Sequence, residues 1–244
     1  MREILVVREF DDFSRILLES GLKVINCQTI AVAPLEDLSE FEAKLDAIEN
    51  YDGVFLTSAN ATEIFRMKLS AKNVNFHGKI YVLGQRSFDL LKSGTLNLVF
   101  DETVNTAQEM LESIQLGELK NKRFLFVRGE KSLPVVPEFL EKIAAVDEAV
   151  VYRSSRVKID DDKIKEIETK SANGEIAAAC FFSPSAAESF LQQFGTKVLH
   201  QIKCAVIGKT TAEFFKGRNL KVDFVAGKAT AEDFAIELIE YLKV

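Results

Sequence analysis

Histidine occurs only twice in this chain of 244 residues and cysteine only three times, and each scarcity removes a class of chemistry. His77 and His200 lie far apart, each beside a loop, so neither a histidine metal site nor a Ser-His-Asp triad has the residues it needs. Both are expected at the surface. Cys27, Cys180 and Cys204 are odd in number, sit in apolar surroundings and show no C-x-x-C spacing, which predicts reduced, buried thiols rather than disulfides or zinc ligands. No apolar run is long enough to span a bilayer, and the first residues lead into an alternating segment without a signal-peptide core. The expectation is a cytoplasmic protein with no membrane partner. Nucleotide fingerprints are also missing, since Gly84 and Gly208 belong to neither G-x-G-x-x-G nor G-x-x-x-x-G-K-[ST]. The "GKTT" of Gly208 to Thr211 resembles the end of a phosphate loop, but the earlier glycine is absent. A net charge of −6 disfavours a nucleic-acid partner.

What the chain has in quantity is repetition. "VFLTSANATEIF" (Val54 to Phe65) returns as "CFFSPSAAESF" (Cys180 to Phe190), and "YVLGQRSFDLL" (Tyr81 to Leu91) returns as "AVIGKTTAEFF" (Ala205 to Phe215). "NTAQEML" (Asn105 to Leu111) answers "ATAEDFAIEL" (Ala229 to Leu238). The spacing of about 124 residues is far above that of solenoid repeats. A duplicated domain is implied, two copies of roughly 110 to 120 residues, each able to bury its own core. A cleft between two such domains is the default place for a ligand.

Short apolar runs alternate with helical patterns throughout. Strands are predicted at Ile4 to Val7, Gly53 to Thr57, Ile80 to Leu83, Leu96 to Phe100, Arg123 to Val127, Ala177 to Phe182, Cys204 to Ile207 and Lys221 to Val225. This alternation means an α/β fold, a parallel sheet flanked by helices in each domain. The repeat order is A (1–26), B-C-D (51–116), A′ (122–148) and B′-C′-D′ (176–242). Between these lie two β-prone stretches, Cys27 to Pro34 and Ala149 to Ser155. If they pair as linker strands the chain crosses between domains twice, giving residues 1–26 with 157–244 as one domain, 36–148 as the other, and 27–35 and 149–156 as linkers. A sequential split explains the duplication equally well from the repeat alone.

The strands run into sequences of capping-box type, Asn60/Glu63, Ser185/Glu188, Thr210/Glu213, Thr106/Glu109 and Thr230/Asp233, with Arg86/Asp89 a degraded copy. These hydroxyls are explained as helix caps without any catalytic role. Their place still matters, because in a parallel sheet the strand carboxyl ends and helix amino ends share one edge, where amides and dipoles attract anions. Ser58, Ser183, Pro184, Gly84 and Gly208 keep the backbone accessible there. Arg8, Arg128 and Lys209 could add charge, or could be spent in surface ion pairs. Tyr152, in the second β-prone stretch, could donate a proton to a leaving oxygen, or simply pack at a joint.

The ordered set "TS" (Thr57, Ser58), "VRG" (Val127 to Gly129), "VVYRS" (Val150 to Ser154), "FFSPS" (Phe181 to Ser185) and "VIGKTTAEFF" (Val206 to Phe215) resembles the uroporphyrinogen-III synthase family over essentially the whole chain. The resemblance implies the discontinuous two-domain layout with a two-stranded linker. It also implies cofactor-free, dehydrative cyclisation of hydroxymethylbilane, with inversion of ring D through a spirocyclic pyrrolenine. By that resemblance Tyr152 assists departure of the ring-A hydroxyl, and Thr211 and Ser87 are matching hydroxyls of the two domains. The substrate-binding set is Arg8, Ser58, Asn60, Gly84, Ser87, Arg128, Gly129, Ser183, Pro184, Ser185, Gly208, Lys209 and Thr210. Lys209 departs from the small residue usual there, and recognition is expected chiefly through main-chain amides. The partner is then a small molecule and the expected state a monomer. A non-enzymatic two-domain module that closes on a small anionic ligand would share this fold; it predicts no chemical selectivity between cyclised isomers.

Overall fold

Strand residues here face two ways, and both ways are apolar, so each sheet must be covered on both sides. The computed structural model describes residues 3–72 and 76–242. Its strands are β1 (Glu3–Val6), β2 (Lys23–Asn26), β3 (Ile30–Pro34), β4 (Gly53–Leu56), β5 (Lys79–Val82), β6 (Asn97–Val99), β7 (Arg123–Gly129), β8 (Ala145–Arg156), β9 (Ile176–Phe181), β10 (Lys203–Val206) and β11 (Phe224–Val225). Its helices are α1 (Asp12–Glu19), α2 (Ser39–Asp46), α3 (Ala59–Lys72), α4 (Gln85–Leu91), α5 (Ala107–Ser113), α6 (Leu116–Leu119), α7 (Val135–Leu140), α8 (Asp161–Ala172), α9 (Pro184–Phe194), α10 (Lys209–Lys216) and α11 (Ala231–Leu242). They form two compact units, Met1–Ala31 with Ser155–Val244, and Val32–Ser154.

The first unit holds a parallel sheet of order β11-β10-β9-β1-β2. Leu5, Val7, Ala179, Phe181, Cys204 and Val206 point to one face, where Ala187 and Phe190 of α9 and Phe215 of α10 pack. Ile4, Val6, Ala178, Cys180 and Ala205 point to the other, against Phe13 and Leu17 of α1 and Phe234 and Leu238 of α11. The alternation is the period-2 signature of a strand buried on both sides.

The second unit repeats the plan in the order β3-β8-β7-β4-β5-β6, with β8-β7-β4-β5-β6 all parallel. Val54, Leu56, Ile80, Val82, Leu125 and Val127 meet Ala61 and Phe65 of α3 and Phe41 of α2. Phe55, Tyr81, Phe124 and Phe126 turn the other way, toward Met110 and Leu111 of α5 and Leu140 of α7. Phe55 stacks on Tyr81 with ring centroids 4.6 Å apart. In both units the strand order reverses, between β1 and β9 and between β7 and β4. Ligands of open α/β sheets bind at such a reversal, outside the carboxyl ends.

Several local expectations need correction. The β-prone stretch Ala149 to Ser155 is not a separate strand but the second half of β8, which runs over Ala145–Arg156. The strand expected at Lys221 to Val225 shortens to Phe224–Val225, and the Asp223 carboxylate accepts from the Cys204 amide beside it. β2 is an additional strand, paired residue for residue with β1.

Candidate functional site

Helix starts at the carboxyl edges define where backbone donors are available. In the second unit, β4 ends at Leu56 and Ser58 caps α3, its Oγ accepting from the Ala61 amide at 3.2 Å. In the first unit, β9 ends at Phe181 and Ser183 caps α9, its Oγ accepting from the Ala186 amide at 3.2 Å. Pro184 then occupies the first helical position, where its missing N–H costs nothing. Gly84 and Gly208 precede α4 and α10 and supply no side-chain cap. Four equivalent helix starts thus divide into two with serine caps and two with first-turn amides that no cap side chain occupies. Gly84 has φ of +84°, a left-handed conformation that favours glycine, whereas Gly208 is extended.

These positions correct the expected caps. Asn60, Ser185 and Thr210 are not N-caps; each is the second residue of its helix, and the cap lies two residues earlier. The Ser-x-x-Glu spacing misleads because the chain turns directly off the strand, so the first small residue after it takes the cap. Of the expected boxes, Thr106/Glu109 closes fully, the carboxylate reaching the Thr106 amide at 3.1 Å. Thr230 caps the Asp233 amide at 3.1 Å, but Asp233 accepts from the Thr230 hydroxyl rather than from its backbone.

At the second unit's edge the structure brings Tyr152, Ser58, Arg128 and Gly129 together. The partly buried Tyr152 hydroxyl donates to Ser58 Oγ at 3.2 Å. Arg128 pairs with Glu148, and its Nη1 donates to the carbonyl of Gly129 at 2.9 Å. At the first unit's edge Arg8 pairs with Asp11 at 3.0 Å and lies 4.4 Å from the centroid of the Phe182 ring. Both arginines are therefore engaged within their own units. Sequence reasoning missed Asp11 and Glu148 as their partners: the i,i+3 spacing offered a signal for Asp11, but a cross-strand partner such as Glu148 leaves none. Lys209 and Thr210 are exposed. Thr211 and Ser87 occupy matching third positions of α10 and α4 and are 3% and 2% exposed.

Other charged groups with shifted titration lie away from this edge. At the amino ends of the second unit's strands, a hollow of about 280 Å³ is lined by Asp52, His77, Gly78, Lys79, Tyr81, Glu118 and Lys122. Its charges are already matched, Lys122 to Asp52 at 2.8 Å and Lys79 to Glu118. Lys122 and the Arg123 amide hold the Asp52 carboxyl below its ordinary range, while burial pushes Tyr81 up to about 12. The carboxyl edge, with its uncapped amides, is the better anion receiver. Among the described residues no group of three or more His, Cys, Asp and Glu could hold a metal. No described helix is long and apolar enough to cross a membrane.

A family model described as uroporphyrinogen-III synthase HemD matches residues 11–235. The uroporphyrinogen-III synthase of Chlorobaculum parvum is 26% identical over 254 aligned positions that take in the whole of both chains. Two solved structures share the fold. A mutant uroporphyrinogen III synthase from the extremely thermophilic bacterium Thermus thermophilus aligns with a TM-score of 0.68 at 15% identity, covering 100% of this chain and 99% of that one. The Helicobacter pylori 26695 enzyme aligns with a TM-score of 0.63 at 20% identity, covering 99% and 100%. Two parallel sheets of matching order, a repeated set of serine- and glycine-started helices and a family match over 11–235 lead to one assignment: the chain belongs to the uroporphyrinogen-III synthase family.

Proposed function

We propose that this chain converts hydroxymethylbilane into uroporphyrinogen III without a cofactor. The observation that carries the reading is the family match over residues 11–235, and the chemistry of the two carboxyl edges agrees with it. The substrate bears eight carboxylates, and the first-turn amides after Gly84 and Gly208 are receivers for such groups. Asn60, Ser183, Ser185, Lys209 and Thr210 supply further polar contacts on this reading, and the buried Thr211 and Ser87 line the same helix starts.

Tyr152 is the acid. As the ring-A carbon–oxygen bond breaks, the departing hydroxyl takes the phenol proton and leaves as water, giving an azafulvenium electrophile and a phenolate. Attack by the substituted carbon of ring D forms the spirocyclic pyrrolenine. Its fragmentation and reclosure invert that ring, and the proton lost on rearomatisation restores the phenol. Much of the rate comes from folding a flexible chain so that its ends meet in reactive geometry. On this reading the partner is a small molecule, and the chain works as a cytoplasmic monomer.

The test is to supply hydroxymethylbilane and resolve the cyclised isomers. Uncatalysed closure gives type I, so an excess of type III over a protein-free control supports the reading. Binding of the substrate with type I as the sole product would favour the non-enzymatic module.

A further inference from the structure

Gly129 and Tyr152 are direct partners across β7 and β8, and the register that makes them so is irregular. Arg128 pairs with Val150, but Gly129 pairs with Tyr152, so β8 carries one extra residue, Val151, at this point. A bulge of this kind re-aims the side chain beside it. The Tyr152 ring lies directly on the Gly129 backbone: a Cβ at Gly129 would stand 2.4 Å from Cζ of the ring and 2.8 Å from its hydroxyl oxygen. Real Cβ atoms do not approach so closely. Nor does the backbone demand glycine here, because the glycines with positive φ are Gly21, Gly84, Gly174 and Gly195. What requires glycine at 129 is the ring.

The other end of the ring is fixed by Ser58. Its Oγ accepts from the Tyr152 hydroxyl at 3.2 Å and from the Ala61 amide at 3.2 Å. Both acceptor sites of that oxygen are filled, and the amide donor belongs to the first turn of α3, which is anchored in the core by Ala61 and Phe65. The phenol oxygen is thereby tied to a rigid helix start. The loop beneath is held as well, for the Gly129 amide donates to Ser132 Oγ at 3.1 Å and the Glu130 amide donates to the Tyr152 carbonyl at 2.9 Å.

We propose that Gly129 and Ser58 are positioning residues that set where the Tyr152 phenol points, Gly129 by leaving the ring its seat and Ser58 by holding its oxygen. This rests on the reading of Tyr152 as the acid, and it assigns to Gly129 and Ser58 an action through the phenol rather than a separate contact with substrate carboxylates.

The experiment uses the full chain labelled with 3-fluorotyrosine, in which loss of one fluorine resonance in Tyr152→Phe identifies that residue. Gly129→Ala and Ser58→Gly are made alone and combined with Tyr152→Phe; glycine is tolerated at helix N-caps, so the second variant retains the helix start. Gly129→Ala is expected to lower kcat by roughly 10²-fold, the loss that a misplacement of about 1 Å can cause. Ser58→Gly should lower kcat less, with KM little changed, and Ser58→Thr should recover part of the loss. Each single variant should shift the Tyr152 resonance and leave those of Tyr51, Tyr81 and Tyr241 in place. In the Tyr152→Phe background neither substitution should lower kcat further. An unmoved Tyr152 resonance, or kcat losses that persist without the phenol, overturns the proposal. Full turnover by Tyr152→Phe itself would instead remove the acid role, and the fluorine signal separates that failure from this one because it reports placement without turnover. If Gly129→Ala does not fold, Ser58→Gly decides the matter alone.

Discussion

Tyr152 and Thr211 are the side chains on which the proposed chemistry leans, and their surroundings differ. Tyr152 is only partly buried, so a substrate oxygen can reach its hydroxyl beside Ser58. Tyr152→Phe should leave folding intact and lower kcat about 10²-fold, the lower end of what a positioned acid contributes; single-turnover kinetics would measure it. Thr211 is buried and lies after a glycine cap, so its removal costs packing rather than a cap. Thr211→Ala should cost about 1 kcal/mol for the lost buried methyl, read from urea midpoints, while Thr211→Ser should keep both the hydroxyl and the turnover. Full turnover by Thr211→Ala would make the residue structural. The cysteines are inert by position: burial pushes Cys27 up to about 11 and Cys204 up to about 12, and Cys180 well above its ordinary value. At pH 8 all three should resist iodoacetamide until the chain is unfolded, with mass spectrometry counting the adducts.

Elements are held by their ends as well as their faces. Thr106 and Glu109 form a reciprocal cap on α5, and Thr106→Ala should lower stability by about 1 kcal/mol, seen as a lower urea midpoint at unchanged slope. Most of the sheet was legible because apolar runs such as Phe124 to Val127 and Val54 to Leu56 have few other uses. β2 was not, since its four residues, Lys23 to Asn26, carry little more apolar signal than a loop. α8 escaped for the opposite reason: a charged helix with only Ile167 and Ser171 buried has a weak stripe to read. The pairings of β1 with β9 and β7 with β4 join segments far apart in the chain, which no local pattern encodes. At the site, the repeat located Ser58, Ser183, Gly84 and Gly208 at equivalent helix starts. The hydrogen bond from Tyr152 to Ser58 and the ring seat at Gly129 depend on a bulge, and a bulge leaves no reliable mark in sequence.

At the scale of the whole molecule, both units carry carboxyl groups held low. Lys122 does this for Asp52; for Asp147 and Asp223 burial pushes upward, but hydrogen bonds from Tyr51 and Arg123, and from Lys221 and the Cys204 amide, prevail. Because these groups titrate lower folded than unfolded, their stabilisation is present above the unfolded value near 4 and is lost as pH falls through the folded one. Thermal midpoints should therefore hold steady toward pH 5 and fall below about pH 4. The family places both units in the service of one reaction, and isomer choice is the property that chemistry without the protein cannot imitate. The most direct measurement is the ratio of type III to type I uroporphyrinogen formed from a fixed amount of hydroxymethylbilane as the concentration of this chain is raised. The account predicts a ratio that climbs with protein until type III dominates; a ratio that stays at the protein-free value would contradict it.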